Sequence, residues 1–253
     1  MEVFFLGTGT SQGVPVIGCR CDVCKSQDKK DKRLRSSVLV RHKGNNIIID
    51  TGPDFRYQML RQNISKIDAI LYTHEHKDHV GGLDDIRPLN FIDNKSIPIY
   101  CSERVNNSLR QSYPYIFSKK KYPGLPQVKI NIINNNVFYF NEIKVTPISG
   151  LHYKLPVHGF RIDDFTYLTD FSFISKEDKI KILGTKVLVV NGLRIKKHFS
   201  HFNLDQALEL INEISPKRAY ITHISHLLGM HEKVSVILPD NVFLSYDGLV
   251  VKV

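Results

Sequence analysis

The run Thr73-His74-Glu75-His76-Lys77-Asp78-His79 constrains this chain more than any other stretch. It sets three imidazoles and two carboxylates within seven residues, directly behind the apolar segment Ala69-Ile70-Leu71-Tyr72. Neutral imidazole is a preferred ligand of zinc and related divalent ions. Side chains two apart on an extended segment project the same way, so His74 and His76 can grip one ion. The turn behind them then swings Asp78 and His79 towards a second. A lone histidine usually fills a core or surface position, but ligand-type side chains crowded at a strand's end read as a metal site.

Such a site needs more donors than one loop provides, and the rest of the chain is organised to bring them. Short β-type runs dominate both halves: Val3–Leu6, Ser37–Arg41, Asn46–Asp50 and Ala69–Tyr72, then Lys129–Ile133, Val137–Phe140, Ile143–Ile148, Gly159–Ile162, Phe165–Leu168, Val187–Val190, Ala219–Thr222 and Leu249–Val253. Apolar residues recur at helical spacing over Asp54–Gln62 and Leu204–Ile214, with Asn203 available to cap the second, and Glu103–Gln111 and Lys176–Leu183 are further helical candidates. Strands in both halves with helices between them predict an α/β (α+β) fold, two sheets face to face flanked by helices. No repeat, heptad run or Pro/Ser/Gly linker divides the 253 residues, so a single domain over 1–253 is expected.

Three of the four cysteines crowd into Cys19-Arg20-Cys21-Asp22-Val23-Cys24, a spacing poorly suited to disulfides among themselves. In a reducing compartment such a cluster more often holds metal than forms bridges, while Cys101 reads as a small buried hydrophobe. The N-terminus lacks a basic head and a long apolar run, and no stretch approaches the roughly 20 apolar residues that span a bilayer. A cytoplasmic, membrane-free protein is expected. The net charge of +10 favours anionic partners. Lys25 to Lys43 carries a net +6, with smaller clusters at Lys119-Lys120-Lys121 and Arg194-Ile195-Lys196-Lys197. A solvated basic surface and a nucleic-acid footprint explain these equally well, and phosphorylated small molecules would be drawn by the same field.

Other strand ends offer the missing donors. Asp170 closes Phe165-Thr166-Tyr167-Leu168-Thr169-Asp170, His152 follows Lys144–Leu151, and His223 follows Ala219-Tyr220-Ile221-Thr222. Singly, each is explained as a turn aspartate or a satisfied loop histidine; three strand ends completing one constellation favour the metal. His158 competes with His152. Asp50, ending another apolar strand, is placed either to accept an N–H from a ligand histidine or simply to make a turn. Gly7-Thr8-Gly9-Thr10 could present backbone N–H groups to an anion, though such turns are common.

Thr-His-x-His-x-Asp-His behind a strand, with later His, Asp and His at strand ends, resembles the metallo-β-lactamase fold. Further stretches narrow the likeness: Phe5-Leu6-Gly7-Thr8-Gly9-Thr10-Ser11-Gln12-Gly13-Val14-Pro15, the clustered cysteines, Ile49-Asp50-Thr51-Gly52-Pro53-Asp54-Phe55-Arg56, Gly82-Leu83-Asp84-Asp85-Ile86-Arg87-Pro88-Leu89-Asn90 and Thr222-His223-Ile224-Ser225-His226. Together they resemble the cyclic phosphodiesterase branch, typified by phosphoribosyl 1,2-cyclic phosphodiesterase. The resemblance implies a four-layer αββα metallo-β-lactamase sandwich in which His74, His76 and His152 bind one ion, Asp78, His79 and His223 the other, and Asp170 bridges both. It implies manganese or zinc at that pair, and zinc held by Cys19, Cys21, Cys24 and His226 in a loop at about 18–35, with a redox-active cysteine cluster as the rival. It implies a non-metal catalytic role for His201, where Ser200 replaces the branch's usual threonine and His198 is the alternative. Asp85, Arg87 and His231 fall on family-like positions without a derivable role.

The expected function is hydrolysis of a small phosphodiester, cyclic by the resemblance, by hydroxide activated at a dinuclear metal site. Asp78 helps hold the reacting centre, and His201 protonates or steadies the departing oxygen. A homodimer is implied by analogy alone. Rival readings are a tRNA 3′-end processing endonuclease, a thioester or lactone hydrolase, and a binding member without catalysis, whose ligands would be eroded.

Overall fold

The computed structural model describes residues 1–118 and 123–253; the Lys119-Lys120-Lys121 cluster lies outside the described residues. The first sheet contains β1 (Glu2–Gly7), β2 (Ser37–His42), β3 (Asn45–Ile49), β4 (Ala69–Leu71), β5 (Ile97–Cys101) and β6 (Val128–Ile132). The second contains β7 (Phe138–Phe140), β8 (Ile143–His152), β9 (Leu155–Ile162), β10 (Phe165–Leu168), β11 (Phe173–Ile174), β12 (Val187–Asn191), β13 (Arg218–Thr222) and β14 (Val242–Leu244). A last strand, β15 (Val250–Lys252), returns to pair antiparallel with β1, giving the orders β15-β1-β2-β3-β4-β5-β6 and β11-β8-β9-β10-β12-β13-β14, with β7 beside β8.

The side-chain alternation of the strands builds four layers. Ile47 and Ile49 of β3 pack inwards with Val187 and Val189 of β12, Phe160 and Phe165, forming the core between the sheets. Ile48 and Ile70 face outwards against Phe55, Met59, Val105 and Leu109 of helices Phe55–Arg61 and Glu103–Ser112. Leu188 and Val190 face outwards against Ala207, Leu210 and Ile211 of helix Leu204–Ile214. Strands buried on both faces read as unbroken apolar runs, as β12 does. Asn203 and Gln206 form a capping box on the last helix. This is the αββα metallo-β-lactamase sandwich.

β5 is not among the runs expected from the sequence; Pro98 pairs in register with Lys129 and the ladder continues to Cys101. The run expected over Gly159–Ile162 is the end of a longer strand, which forms a hairpin with β8 through Tyr153 and Lys154. The C-terminal run and the run around Lys129–Ile133, both from the second half of the chain, belong to the first sheet. Among the described residues, no helix is long and apolar enough to cross a membrane.

Candidate active site

β3 runs parallel to β4, and β10, β12 and β13 run parallel to one another, so their carboxyl ends gather side chains at one edge of the sandwich. Asp50 follows β3, the Thr73–His79 run follows β4, His152 ends β8, Asp170 follows β10 and His223 follows β13. Asp50, Asp170 and His223 have φ of 65°, 62° and 54°. The left-handed region is sparsely used by residues carrying a side chain, and such conformations persist where the surroundings enforce them.

The donors expected from separate loops converge. Ligand atoms of His74, His79 and Asp170, of Asp78, His79 and His223, and of His152, Asp170 and His201 each lie within 4.8 Å of one another. His74 Nε2 and His76 Nδ1 are 3.1 Å apart, and the His76 and His152 rings sit 5.1 Å centroid to centroid. His158 is not part of the cluster: its Nε2 meets Asn135 at 3.3 Å on the β9 side. His201 is drawn in closely enough to stand among potential ligands, with Nδ1 3.6 Å from Asp170 Oδ1. His198 is not in the donor groups; it stacks on Phe199 at 4.6 Å.

Each ring is held by its other nitrogen. Asp50, fully buried, accepts from His79 Nδ1 (2.7 Å) and Thr73 Oγ1 (2.8 Å) on Oδ2, and from the Thr73 amide (2.9 Å) on Oδ1. Because the Thr73 hydroxyl proton goes to Asp50, Thr73 Oγ1 is left to accept from His74 Nδ1 at 3.0 Å. One buried carboxylate therefore fixes the tautomers of two candidate ligands. His152 Nδ1 donates to the Ser200 carbonyl (2.7 Å), and His223 Nδ1 donates to Ser36 Oγ (3.2 Å), whose proton goes to the Gly9 carbonyl (2.9 Å). With Nδ1 engaged, all four rings turn Nε2 towards the centre. The sequence reading missed Thr73 and Ser36; only Thr73, adjacent to His74, carried any local signal.

The donor set fits divalent cations. His79 Nε2 is buried without a hydrogen-bond partner, although Asp78 and Asp170 oxygens lie 3.1 and 3.2 Å away. A cation would satisfy all three atoms at once. Metal–nitrogen bonds of ~2.0–2.1 Å set neighbouring donors roughly 3–3.4 Å apart, the spacing seen here. Protonation agrees as well. Burial, with help from neighbouring imidazoles, lowers the pKa of His74, His76 and His223, and burial pushes His201 down to about 3. Burial opposes ionisation of Asp78 and Asp170, but the surrounding histidines outweigh it and hold both carboxyls low. Burial likewise disfavours a charged His79, yet Asp78, Asp170 and Asp50 together hold its pKa well above the ordinary value. Apart from His79, the imidazoles are held neutral and the carboxylates ionised, the state that ligation requires.

The cysteine loop forms a second cluster beside the first. Cys19 Sγ and Cys21 Sγ lie 3.4 and 3.3 Å from His226 Nδ1, and all four ligand atoms, with Cys24, fall within 4.8 Å of one another. The following segment is pinned across the fold. Buried Arg33 donates to Thr8, to the Ser245 carbonyl and to His231 Nδ1 (3.1 Å), and Asp31 accepts the His231 amide (2.7 Å). This explains His231, and it disperses the basic segment's charge: Arg33 is internal, Arg35 pairs with Asp54 at 3.0 Å and Lys32 caps the Cys24 carbonyl. Lys25, Lys29, Lys30, Arg41 and Lys43 of the stretch stay exposed. Asp85 and Arg87 line a separate apolar groove that none of the metal donors reaches.

A cleft of about 510 Å³ opens onto His76 and His152 and is lined also by Glu75, Arg104, Tyr153, Lys154, Leu155, Phe199 and Ser200. Glu75 does not join the metal donors; it pairs with Arg104 at this mouth.

Comparison with known proteins agrees with this geometry. The model of the beta-lactamase superfamily domain matches residues 45–224. A solved structure, described as a new diphosphatase from the PhnP family, superposes with a TM-score of 0.93 at 39% identity, covering 100% of this chain and 97% of that one. An octanoyltransferase of Porphyromonas gingivalis is 39% identical over 252 residues, 98% of this chain and 51% of that protein, so the chain spans about half the length of that relative. A ribonuclease Z of Prochlorococcus marinus is 30% identical over 210 residues, 76% of this chain and 62% of that protein. With its sandwich, its matched span and its likeness along the whole length of a PhnP-family structure, the chain belongs to the beta-lactamase superfamily of hydrolases, within the PhnP family.

Proposed function

We propose that this protein is a metal-dependent hydrolase of small phosphodiesters, cleaving a P–O bond with two divalent ions, manganese or zinc, in the cluster around Asp170. The observation that carries the reading is the convergence of seven candidate donors from four segments of the chain, with the spare nitrogens of His79, His74, His223 and His152 already committed to Asp50, Thr73, Ser36 and the Ser200 carbonyl. His74, His76 and His152 would hold one ion, Asp78, His79 and His223 the other, with Asp170 shared between them. When bound, such a pair supplies an acidified water and positive charge for the phosphoryl oxygens.

His201 does the remaining work. Its depressed pKa of about 3 keeps the ring neutral at pH 7, so it steadies the departing oxygen by N–H donation and does not act from a charged imidazolium. The cleft beyond His76 and His152 receives the rest of the substrate. Cys19, Cys21, Cys24 and His226 would hold one structural zinc, tying the N-terminal loop to the segment behind His223. Four cysteines, none of them bridged, fit a reducing cytoplasm.

The diphosphatase in the PhnP family supports chemistry at a phosphoryl centre, and a diphosphate diester offers the same reacting bond. The ribonuclease Z relative keeps tRNA 3′-end processing as the rival, although Arg33 is buried and Arg35 is paired with Asp54. The test is metal analysis with hydrolysis of bis(p-nitrophenyl) phosphate, a cyclic nucleotide and a dinucleoside diphosphate, in wild type and His76→Ala. We expect three ions per chain in wild type and phosphodiester turnover that His76→Ala abolishes, with the cysteine-site zinc retained. Turnover confined to tRNA precursors, with salt-sensitive binding, would replace this reading by the rival. Fewer than three ions in metal-replete protein would refute the ligand assignment.

A further inference from the structure

A pocket of about 260 Å³ lies apart from the metal donors, and none of them lines it. Independently of the proposed reaction, we infer that it is a second ligand site, built to take a small planar anion of the aromatic carboxylate class. The pocket originates in the way the sheets end. Tyr220 on β13 belongs to the core between the sheets and packs on Phe5 at 5.6 Å. Phe243, its register partner on the edge strand β14, stays 42% exposed, with the two rings 5.5 Å apart and inclined at 31°. The apolar layer between the sheets is therefore left uncovered at its β14 end, where the pocket opens. Aromatic surface in a concave place with no core to cover it is surface that a flat ring can occupy.

The remaining wall supplies donors and positive charge. Arg33 Nη2 lies 3.1 Å from His231 Nδ1. A guanidinium only donates, so Nδ1 accepts and the proton of the ring sits on Nε2. His231 is 8% exposed, and among the described residues nothing accepts from that Nε2–H. The donor is left to the pocket, and an anion is its matching occupant. Lys30 brings an ammonium to the same space, 5.1 Å over the Tyr246 ring, which meets His231 edge to face at 5.9 Å. Ser235 adds a hydroxyl. No lining residue carries a carboxylate. The acids nearest in the chain are engaged by the backbone: Asp28 accepts from the Lys30 amide at 2.9 Å, and Asp31 from the His231 amide at 2.7 Å.

Volume limits the ligand to one ring. About 260 Å³ is the liquid volume of roughly nine waters, below the roughly 300–1,000 Å³ of pockets that enclose larger ligands. In such a complex the carboxylate meets Lys30 and the His231 Nε2–H while the ring lies along Phe243 and Tyr246. The ligand then spans two segments of the chain. Lys30 lies behind Cys24 and His231 behind His226, so the stretches carrying the proposed zinc donors are held together from the far side. A ligand bound by the folded chain alone stabilises it, and the melting temperature rises with its concentration.

The probe is 4-fluorobenzoate, followed by fluorine NMR on the metal-replete protein, with benzoate, benzamide and inorganic phosphate as competitors. Wild type should bind it saturably with a Kd on the order of 1 mM or tighter. Benzoate should displace it; benzamide, the neutral isostere, and phosphate, which has no ring, should not. Lys30→Gln should weaken binding about tenfold and Phe243→Ala about fivefold, with Phe243→Tyr restoring it. Both side chains are exposed, so these variants should melt as wild type does without ligand. Benzoate should raise the melting temperature of wild type more than that of Lys30→Gln. His76→Ala should bind the probe as wild type does. Absence of saturable binding, or displacement by benzamide or phosphate as strong as by benzoate, overturns the inference. So does binding that His76→Ala abolishes and Lys30→Gln leaves intact, which would place the carboxylate at the metal centre.

Discussion

Replacing Asp50 by Asn removes one charge and reverses one donor while keeping size and shape. It also keeps the backbone, because Asn tolerates the left-handed conformation that Asp50 adopts at φ 65°. The native carboxylate accepts three hydrogen bonds, two of them on Oδ2. The substituted amide can present its NH2 group to His79 and Thr73, or to the Thr73 amide, and either choice has a definite consequence. In the first, His79 must accept at Nδ1, and the Thr73 hydroxyl must turn to donate to His74 Nδ1. Both imidazoles then show N–H at Nε2, and one ligand of each proposed ion is lost. In the second, an NH2 group faces a buried N–H, leaving donors unsatisfied at a cost of about 1–3 kcal/mol. Loss of an outer partner of this kind lowers metal affinity about 10- to 100-fold, roughly 1.4–2.8 kcal/mol. Competition with a graded series of chelators, read by elemental analysis, measures this, and the cysteine-site zinc serves as an internal standard in the same sample. Calorimetric melting of the ion-free protein reports the second alternative. Wild-type metal affinity together with wild-type melting in Asp50→Asn would refute the claim that this carboxylate sets the two tautomers.

Three further outcomes follow from the same geometry. Gly52→Ala would bring a Cβ within 2.2 Å of the Asp78 carbonyl, so the loop carrying Asp78 and His79 must shift; we expect a loss of about 1–3 kcal/mol in denaturant unfolding and weaker binding of one ion, and a variant that crystallises with this loop unmoved would contradict the clash. Cys21→Ala should remove one zinc per chain and lower the melting temperature with the catalytic pair still loaded; unchanged melting would argue against a structural ion there. His231, whose pKa is lowered to about 4 by burial and then by Arg33, is neutral when folded and takes up a proton more readily when unfolded. Its contribution to stability is therefore fully present above about pH 6.5 and is lost as pH falls towards 4. His231→Gln should flatten that part of a melting-versus-pH curve; parallel curves for variant and wild type would show that the Arg33 contact plays no part.

Much of the site was legible because its chemistry is local. The Thr73–His79 run declares itself within seven residues, and Cys19, Cys21 and Cys24 do so within six. His152, Asp170 and His223 were legible at one remove, since a strand's carboxyl end is where a parallel sheet presents functional side chains. The two-sheet architecture followed from short apolar runs in both halves of the chain, such as β12, with helical segments between them. What the sequence could not carry are relations between residues far apart in the chain. The choice of His152 over His158 depends on which face of a hairpin meets the segment behind β4. The membership of β15 depends on an edge that β1 leaves open, and β5 on a ladder that tolerates Pro98.

Residue type thus determined which atoms can bind a cation and where strands end, because imidazole, thiolate and carboxylate chemistry travels with the side chain. Only the tertiary structure decided which nitrogen of each ring faces the centre, that Arg33 is buried and Arg35 paired with Asp54, and that Tyr153 and Phe199 meet at one mouth. A tautomer, an ion pair or an aromatic corner is made by two partners, and Arg33 meets the Ser245 carbonyl across 212 positions of chain; such meetings are a property of the packed sheets and not of either segment alone.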